Sequence, residues 1–282
     1  MKVGYLGPNG SFTHNVAVKA FPSADRVSFG NITEVIKSYE EGVVDYAIIP
    51  VENSIEGSVH ETLDYLFHQA QIEAVAEMIQ PIKQQLLATS QDKVIEKIFS
   101  HPQAIAQGKK YTKSHYPNAQ IEMTASTAYA ARFIAENPDK PFAAIAPVAA
   151  AKEYGLEIIA KDIQEMDENY TRFWVLGRKK YAFELTKCQQ KVSLTLTLPD
   201  NLPGALYKAL SVFAWRGINL TKIESRPLKT ALGEYFFIVD VDNTNEALVS
   251  FALEELHLLG IDYKMLGNYD LSLIHISEPT RP

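Results

Sequence analysis

A threonine, an arginine and a phenylalanine stand in succession at Thr171-Arg172-Phe173, within the run NYTRFWVLG. Side by side they offer a hydroxyl donor, a planar guanidinium fork and a flat apolar ring. A small anionic ring compound would need that set: a donor to an oxygen, a partner for a carboxylate and a surface for the ring. Taken alone, each residue also has a plain structural explanation, since Thr and Phe often open strands and Arg is usually solvated. Five further stretches supply similar groups: GPNGSFTH (7–14), PVENSIEGSV (50–59), SHPQAIAQ (100–107), STAYAA (126–131) and ESRP (224–227).

Within these stretches Ser11, Ser54 with Gly57, and Ser126 with Thr127 fall in predicted strand-to-helix loops. Free backbone N–H groups and the helix dipole favour an anion at such places, although capping accounts for each serine singly. Three such loops on one side of a parallel sheet outline a cleft, because ligands of open α/β sheets bind beyond the carboxyl ends of the strands. Asn53 and Ser54 are neutral donors able to hold a carboxylate, and Glu52 beside them is either an acid in a dry site or a surface carboxylate. Thr13 joins Ser11 in the first loop. His101 and Gln103 follow a strand end, with Pro102 suited to the first helical position and capping a sufficient role for His101. Strand alternation bears on Arg172: if Thr171 faces a cleft, Arg172 faces away unless the strand has not yet begun, and a buried ion pair is then its alternative role. Phe173 would share the Thr171 face and pack on the ring or on the core.

These groups must be positioned by more than one folding unit, because 282 residues exceed one ordinary core. A hydrophobic content of 46% with 22% charged residues is that of a soluble globular chain. The start, MKVGYLGPNG, passes directly into a strand and a turn without a secretory apolar region, so a cytoplasmic location is expected. One cysteine, Cys188, excludes an intrachain disulfide and a thiolate cluster, and the seven histidines show no zinc-ligand spacing. A net charge of −7 argues against a nucleic-acid partner, and no apolar run suits a membrane span. Neither a GxGxxG nor a Walker sequence is present, so no nucleotide cofactor and no metal are expected.

Up to about residue 180, short apolar runs alternate with amphipathic ones, which predicts an α/β fold with a mainly parallel sheet. Strands are expected near 3–6, 26–29, 45–50, 72–78, 83–88, 98–100, 120–123, 142–146 and 173–176, and helices near 12–21, 33–41, 59–69, 103–115, 128–137 and 148–154. Asn31 with Glu34 reads as a capping box. The charged stretch 181–191 is expected to be a linker. Beyond it the pattern is βαββαβ, with strands 192–198, 219–225, 234–241 and 262–269 and helices 204–216 and 246–258, which predicts a four-stranded antiparallel sheet with two helices on one face. The tail 271–282, LSLIHISEPTRP, follows no predicted element and reads as non-native.

In their order and spacing the six stretches resemble the prephenate dehydratase family over the chain up to about Tyr269. The resemblance implies a two-lobed catalytic domain (1–180) of the type II periplasmic-binding-protein kind, one lobe from 1–78 and 160–180 and the other from 79–159. It further implies a regulatory ACT domain of ferredoxin-like βαββαβ form at 192–270. The implied reaction is decarboxylative dehydration of prephenate to phenylpyruvate, without a cofactor. Thr171 would act at the leaving hydroxyl, and Asn53, Ser54, Ser126, Thr127, Arg172, Phe173, Ser11 and Thr13 would surround the substrate. L-Phenylalanine would be the effector, held by Gly204, Ala205, Leu206, Glu224, Ser225 and Arg226 at an interface between ACT domains in a dimer or tetramer. Arogenate dehydratase, which differs in one amino group of the substrate, and a non-catalytic amino-acid sensor remain the alternatives.

Overall fold

The computed structural model describes residues 1–69, 72–198, 203–228 and 235–274. Residues 275–282 of the expected tail, and Glu234 of an expected strand, lie outside them. The chain begins with β1 (Lys2–Leu6), α1 (Phe12–Ala20), β2 (Asp25–Phe29), α2 (Ile32–Glu40), β3 (Tyr46–Asn53), β4 (Gly57–Ser58), α3 (His60–His68), β5 (Ala74–Pro81) and β6 (Gln85–Ala88). It continues through β7 (Lys97–Ser100), α4 (Pro102–Gln107), α5 (Lys109–His115), β8 (Gln120–Met123), α6 (Thr127–Ala135), β9 (Phe142–Ala146), α7 (Val148–Tyr154), β10 (Glu157–Ala160) and β11 (Tyr170–Gly177). Last come β12 (Thr186–Thr197), α8 (Ala205–Ala214), β13 (Leu220–Pro227), β14 (Tyr235–Asp242), α9 (Glu246–Leu258) and β15 (Asp262–Leu273). No described helix is long and apolar enough to cross a membrane.

Two compact units form. The first comprises Met1–Thr62, Ile79–Phe173 and Ile274; the second comprises Leu63–Met78 and Trp174–Leu273. The division differs from the expected one: both expected lobes fall largely in the first unit, while residues 63–78 belong with the C-terminal part.

In the first unit one sheet has the order β11–β3–β1–β2, with β1 parallel to both neighbours and β4 folded back antiparallel on β3. The other has the order β10–β6–β9–β7–β8, in which β7 runs parallel to β8 and β9 while β6 runs antiparallel to β9 and β10. Alternation explains how β9, FAAIA, serves as a central strand. Ala144 and Ala146 face α6 and α7 through Ala130, Ala131, Ile134 and Ala150, and Ala143 and Ile145 face Ala104 and Ile163 on the opposite side. The expected helix 103–115 is broken at Gly108, where a Cβ would come within 3.1 Å of Ile163 Cδ1. Asn31 caps α2 as expected by accepting from Glu34 N, but Glu34 returns its bond to Gly30 N, one residue before the cap.

In the second unit the order is β13–β14–β12–β15–β5, and the βαββαβ element order is present with antiparallel pairing of β12 to β14 and β15 and of β13 to β14. Leu194, Leu196, Val239 and Val241 face Ala209, Phe213, Val249 and Leu256 of α8 and α9 in one core. Within β15, Gly267 leaves no room for a Cβ, which would stand 2.6 Å from Ala74 O of β5. Two expectations are corrected here. Residues 186–191 of the expected linker are strand, because they pair with β15. Leu271, Ser272 and Leu273 complete β15, and Ile274 is buried. The sheet face away from α8 and α9 is covered by the latter part of α3: Phe67 stacks on Phe236 at 3.5 Å, Asp64 pairs with Arg226 at 2.7 Å, and Lys264 Nζ donates to Leu66 O and Phe67 O. Donation to terminal carbonyls is how a lysine closes a helix C-terminus.

Candidate active site

The geometry of Thr171 is set where β3 ends and β11 begins. Asn53, the last residue of β3, folds its side chain into the turn, so that Oδ1 accepts from Ile55 N at 3.0 Å and from Glu56 N at 3.1 Å. Its Nδ2 donates across to β11, reaching Asn169 Oδ1 at 2.8 Å, Thr171 Oγ1 at 3.0 Å and Tyr170 O at 3.2 Å. Ser54 fastens the same turn: its N donates to Tyr170 O, and its Oγ accepts from Tyr170 N and donates to Glu168 O. Because Thr171 Oγ1 accepts from an amide, its own proton is left for another acceptor, and none is present among the described residues.

β11 starts at Tyr170, so strand alternation governs the tripeptide. Arg172 turns to the side opposite Thr171, where Nη1 meets Glu52 Oε2 at 2.6 Å with the side chains 16% and 27% exposed. Phe173 is 2% exposed and belongs to the core. Ser54 is corrected as well. It does not start a helix, since β4 intervenes before α3, and its donors are consumed by β11. Ser11 caps α1 by accepting from His14 N and itself donates to Leu6 O, while Thr13 is buried in that helix. Ser126 caps α6 by accepting from Tyr129 N, with Thr127 half-buried as the first helical residue. The structure therefore joins Asn53 to Thr171 directly and ties Ser54 to the same strand through Tyr170. It gives Ser11, Ser126 and Arg172 partners of their own.

His101 caps α4 through Nδ1, which accepts from Gln103 N at 3.4 Å and places the proton of the neutral ring on Nε2. Burial holds its pKa below the ordinary histidine value, and the Glu56 carboxylate partly opposes that shift. The loop after β1 is held against α7. Tyr154 OH donates to Asn9 O at 2.7 Å, Asn9 Nδ2 donates to Glu153 Oε1 at 2.8 Å, and Tyr5 OH donates to Asn9 Oδ1 at 2.6 Å. Gly10, at φ +77°, donates its N–H to His14 Nδ1 and passes so close to α7 that a Cβ would fall 2.9 Å from Ala150 Cα. Burial lowers the His14 pKa, with Glu153 opposing.

Asn169, Glu153 and Tyr154 escaped the reading of the sequence. Asn169 lies just before β11 and two residues before Thr171, and that short spacing was the available signal. Glu153 and Tyr154 left none, because contacts between distant segments have no local pattern.

In the second unit Gly204 opens α8 in the left-handed region at φ +81°, and among the described residues no atom lies within 4 Å of a Cβ built there. A left-handed φ of this kind is what glycine adopts without strain. Ala205 is buried and Leu206 half-buried. Along β13 Glu224 and Arg226 turn toward α3, where Arg226 meets Asp64, whereas Ser225 is exposed on the alternate face.

The family model for prephenate dehydratase matches residues 3–181. The chain is 53% identical to the prephenate dehydratase of Lactococcus lactis subsp. cremoris over 96% of this chain and 98% of that protein. Among solved structures it is similar to the prephenate dehydratase of Streptococcus mutans, 50% identical, covering 96% of this chain and 99% of that one with a TM-score of 0.65. It is also similar to the Arthrobacter aurescens prephenate dehydratase in complex with L-Phe, 35% identical, covering 95% and 90% of the two chains with a TM-score of 0.82.

Proposed function

The chain belongs to the prephenate dehydratase family and carries out that family's conversion of prephenate to phenylpyruvate, and we propose that Thr171 serves the step as the hydroxyl donor at the departing oxygen. The observation that carries this role is the Asn53 Nδ2 to Thr171 Oγ1 bond, which occupies the oxygen as an acceptor and leaves the proton to give. In the reaction the bond from the ring to its carboxylate breaks, carbon dioxide leaves, and the electron pair moves through the diene to expel the hydroxyl from the opposite carbon. One proton taken up converts that hydroxyl to water, so the enzyme is a carbon–oxygen lyase. A threonine hydroxyl is too weak an acid to supply the proton alone; Thr171 donates a hydrogen bond as charge develops on the oxygen. Ser126 and Thr127, with Ser11 and Thr13, are assigned to the substrate surroundings, and Asn53 and Ser54 to the turn that presents Thr171 to the substrate. Arg172 with Glu52 shapes the wall behind Thr171, and Phe173 packs beneath it.

Two lobes of the periplasmic-binding-protein type, 1–78 with 160–180 and 79–159, are supported by the two sheets of the first unit. The strand order of the second unit supports an ACT-type regulatory domain over 192–270, with L-phenylalanine as effector near Gly204, Ala205, Leu206, Glu224, Ser225 and Arg226. Self-association as a dimer or tetramer is supported by β13, which ends the strand order and exposes Ile223.

The test is turnover of prephenate by the purified protein, read as phenylpyruvate absorbance in alkali with arogenate run in parallel. Thr171→Ala is expected to lower kcat by about two orders of magnitude or more with KM little changed, since losing one preorganised donor costs roughly 2.7–4 kcal/mol. A rise in KM with kcat intact would make Thr171 a ground-state contact and remove the proposed role.

A further inference from the structure

Asn169 is fully buried, and its side chain makes one hydrogen bond among the described residues, accepting from Asn53 Nδ2 through Oδ1 at 2.8 Å. Its Nδ2 has no partner. A buried donor left unmade destabilises the fold, so on stability alone this position favours an apolar side chain. The acceptor end of the amide is what the site can use. We propose that Asn169 is a positioning residue for the dehydration: by holding Asn53 through Oδ1, it keeps the Asn53 amide donating to Thr171 Oγ1 and so directs the Thr171 proton to the substrate.

The proposal rests on the donor role of Thr171 and follows from counting hydrogens. Asn53 Nδ2 carries two, and three acceptors stand within 3.2 Å of it: Asn169 Oδ1, Thr171 Oγ1 and Tyr170 O. With one hydrogen committed to Asn169, the other is shared between Thr171 Oγ1 and Tyr170 O. Meanwhile Asn53 Oδ1 is fixed by Ile55 N and Glu56 N, so the amide cannot flip without breaking both bonds. Take Asn169 Oδ1 away and the nitrogen is anchored on one side only. The hydrogen that occupied Thr171 is then free to settle on the Tyr170 carbonyl, and the hydroxyl loses its imposed orientation.

The experiment compares Asn169→Leu, which removes both ends of the amide, with Asn169→Asp, which keeps an oxygen facing Asn53, each also in a Thr171→Ala background. Asn169→Leu is expected to lower kcat about 10- to 100-fold with KM within about threefold, the scale of a misplaced catalytic group. Asn169→Asp should recover most of that loss. In the Thr171→Ala background Asn169→Leu should change kcat less than about threefold, because the residue acts only through the hydroxyl. Circular dichroism at the assay temperature gives the folded fraction for each variant. An Asn169→Leu protein with parental kcat, a kcat loss that merely follows the folded fraction, or an equal loss in both backgrounds overturns the assignment while leaving Thr171 as the donor. Parental turnover by Thr171→Ala alone would instead sink the donor role, and the positioning role with it.

Discussion

Replacing Gly10 by alanine tests whether the loop after β1 and α7 are held at a fixed distance. Gly10 sits at φ +77°, where an L residue costs about 1–2 kcal/mol. The same substitution at Gly42, φ +72° with nothing within 4 Å of a Cβ, carries that cost and no other. At Gly10 the new methyl would stand 2.9 Å from Ala150 Cα and 3.2 Å from Tyr154 Cε2. The nearest obstacle is backbone, so no rotamer change relieves it, and trimming Ala150 to glycine leaves the same Cα in the way. The loop must move off α7, which removes the Tyr154–Asn9 and Asn9–Glu153 bonds, worth about 0.5–1.5 kcal/mol each. Gly10→Ala is therefore expected to lose about 2–5 kcal/mol in all against about 1–2 for Gly42→Ala. Urea denaturation of both variants reads the difference. Steady-state kinetics should show a raised KM for Gly10→Ala alone, since Ser11 and Thr13 ride on the displaced loop. Equal denaturation midpoints for the two variants would refute the close approach, and an unchanged KM would refute the assignment of this loop to the substrate surroundings.

Acidification gives a second expectation. Burial lowers the pKa of His14 and His101 below 6.5, so the folded chain binds fewer protons than the unfolded one just under that pH. Their contribution is complete above about 6.5 and is lost as pH falls toward the folded values; protonation also costs His14 Nδ1 its bond from Gly10 N. Urea midpoints at neutral and mildly acidic pH should show the decline, and His14→Gln with His101→Gln should flatten it; identical slopes in parent and variant would exclude these residues as the cause. A chain ending at Lys180 is expected to fold poorly, because Phe67, Leu66 and Ala74 lose Phe236, Lys264 and Gly267. Dye binding to exposed apolar surface and gel filtration check this, and a monomeric, fully active fragment would contradict it.

Much of the framework was legible because burial imposes period. The alternation in SLTLTL and EYFFIVDV marks strands whose inner residues meet α8 and α9, and FAAIA reads as a strand covered on both faces. Stretch 186–190 was opaque for the converse reason: every side chain is exposed, so nothing alternates, and only pairing with β15 makes it strand. Helix α3 was visible as a helix, but an amphipathic face does not say which surface it covers, and Phe67 on Phe236 depends on a residue far along the chain. Within the candidate site Thr171, Asn53 and Ser54 were found by chemical type. That Ser54 has no donors to spare followed only from the turn that stitches it to β11.

The boundary between the two units falls between Thr62 and Leu63, Met78 and Ile79, and Phe173 and Trp174, that is, inside α3, β5 and β11 rather than in loops. For the exchange of parts between related enzymes this sets the grain of the molecule. A recombinant cut at the charged stretch after Gly177 would carry β12 to β15 away from the helix and strand that cover them, leaving Phe236 and Arg226 facing a foreign α3. A graft that respects the packing takes two segments, Leu63–Met78 together with Trp174–Leu273, so the second unit is inherited as a discontinuous cassette.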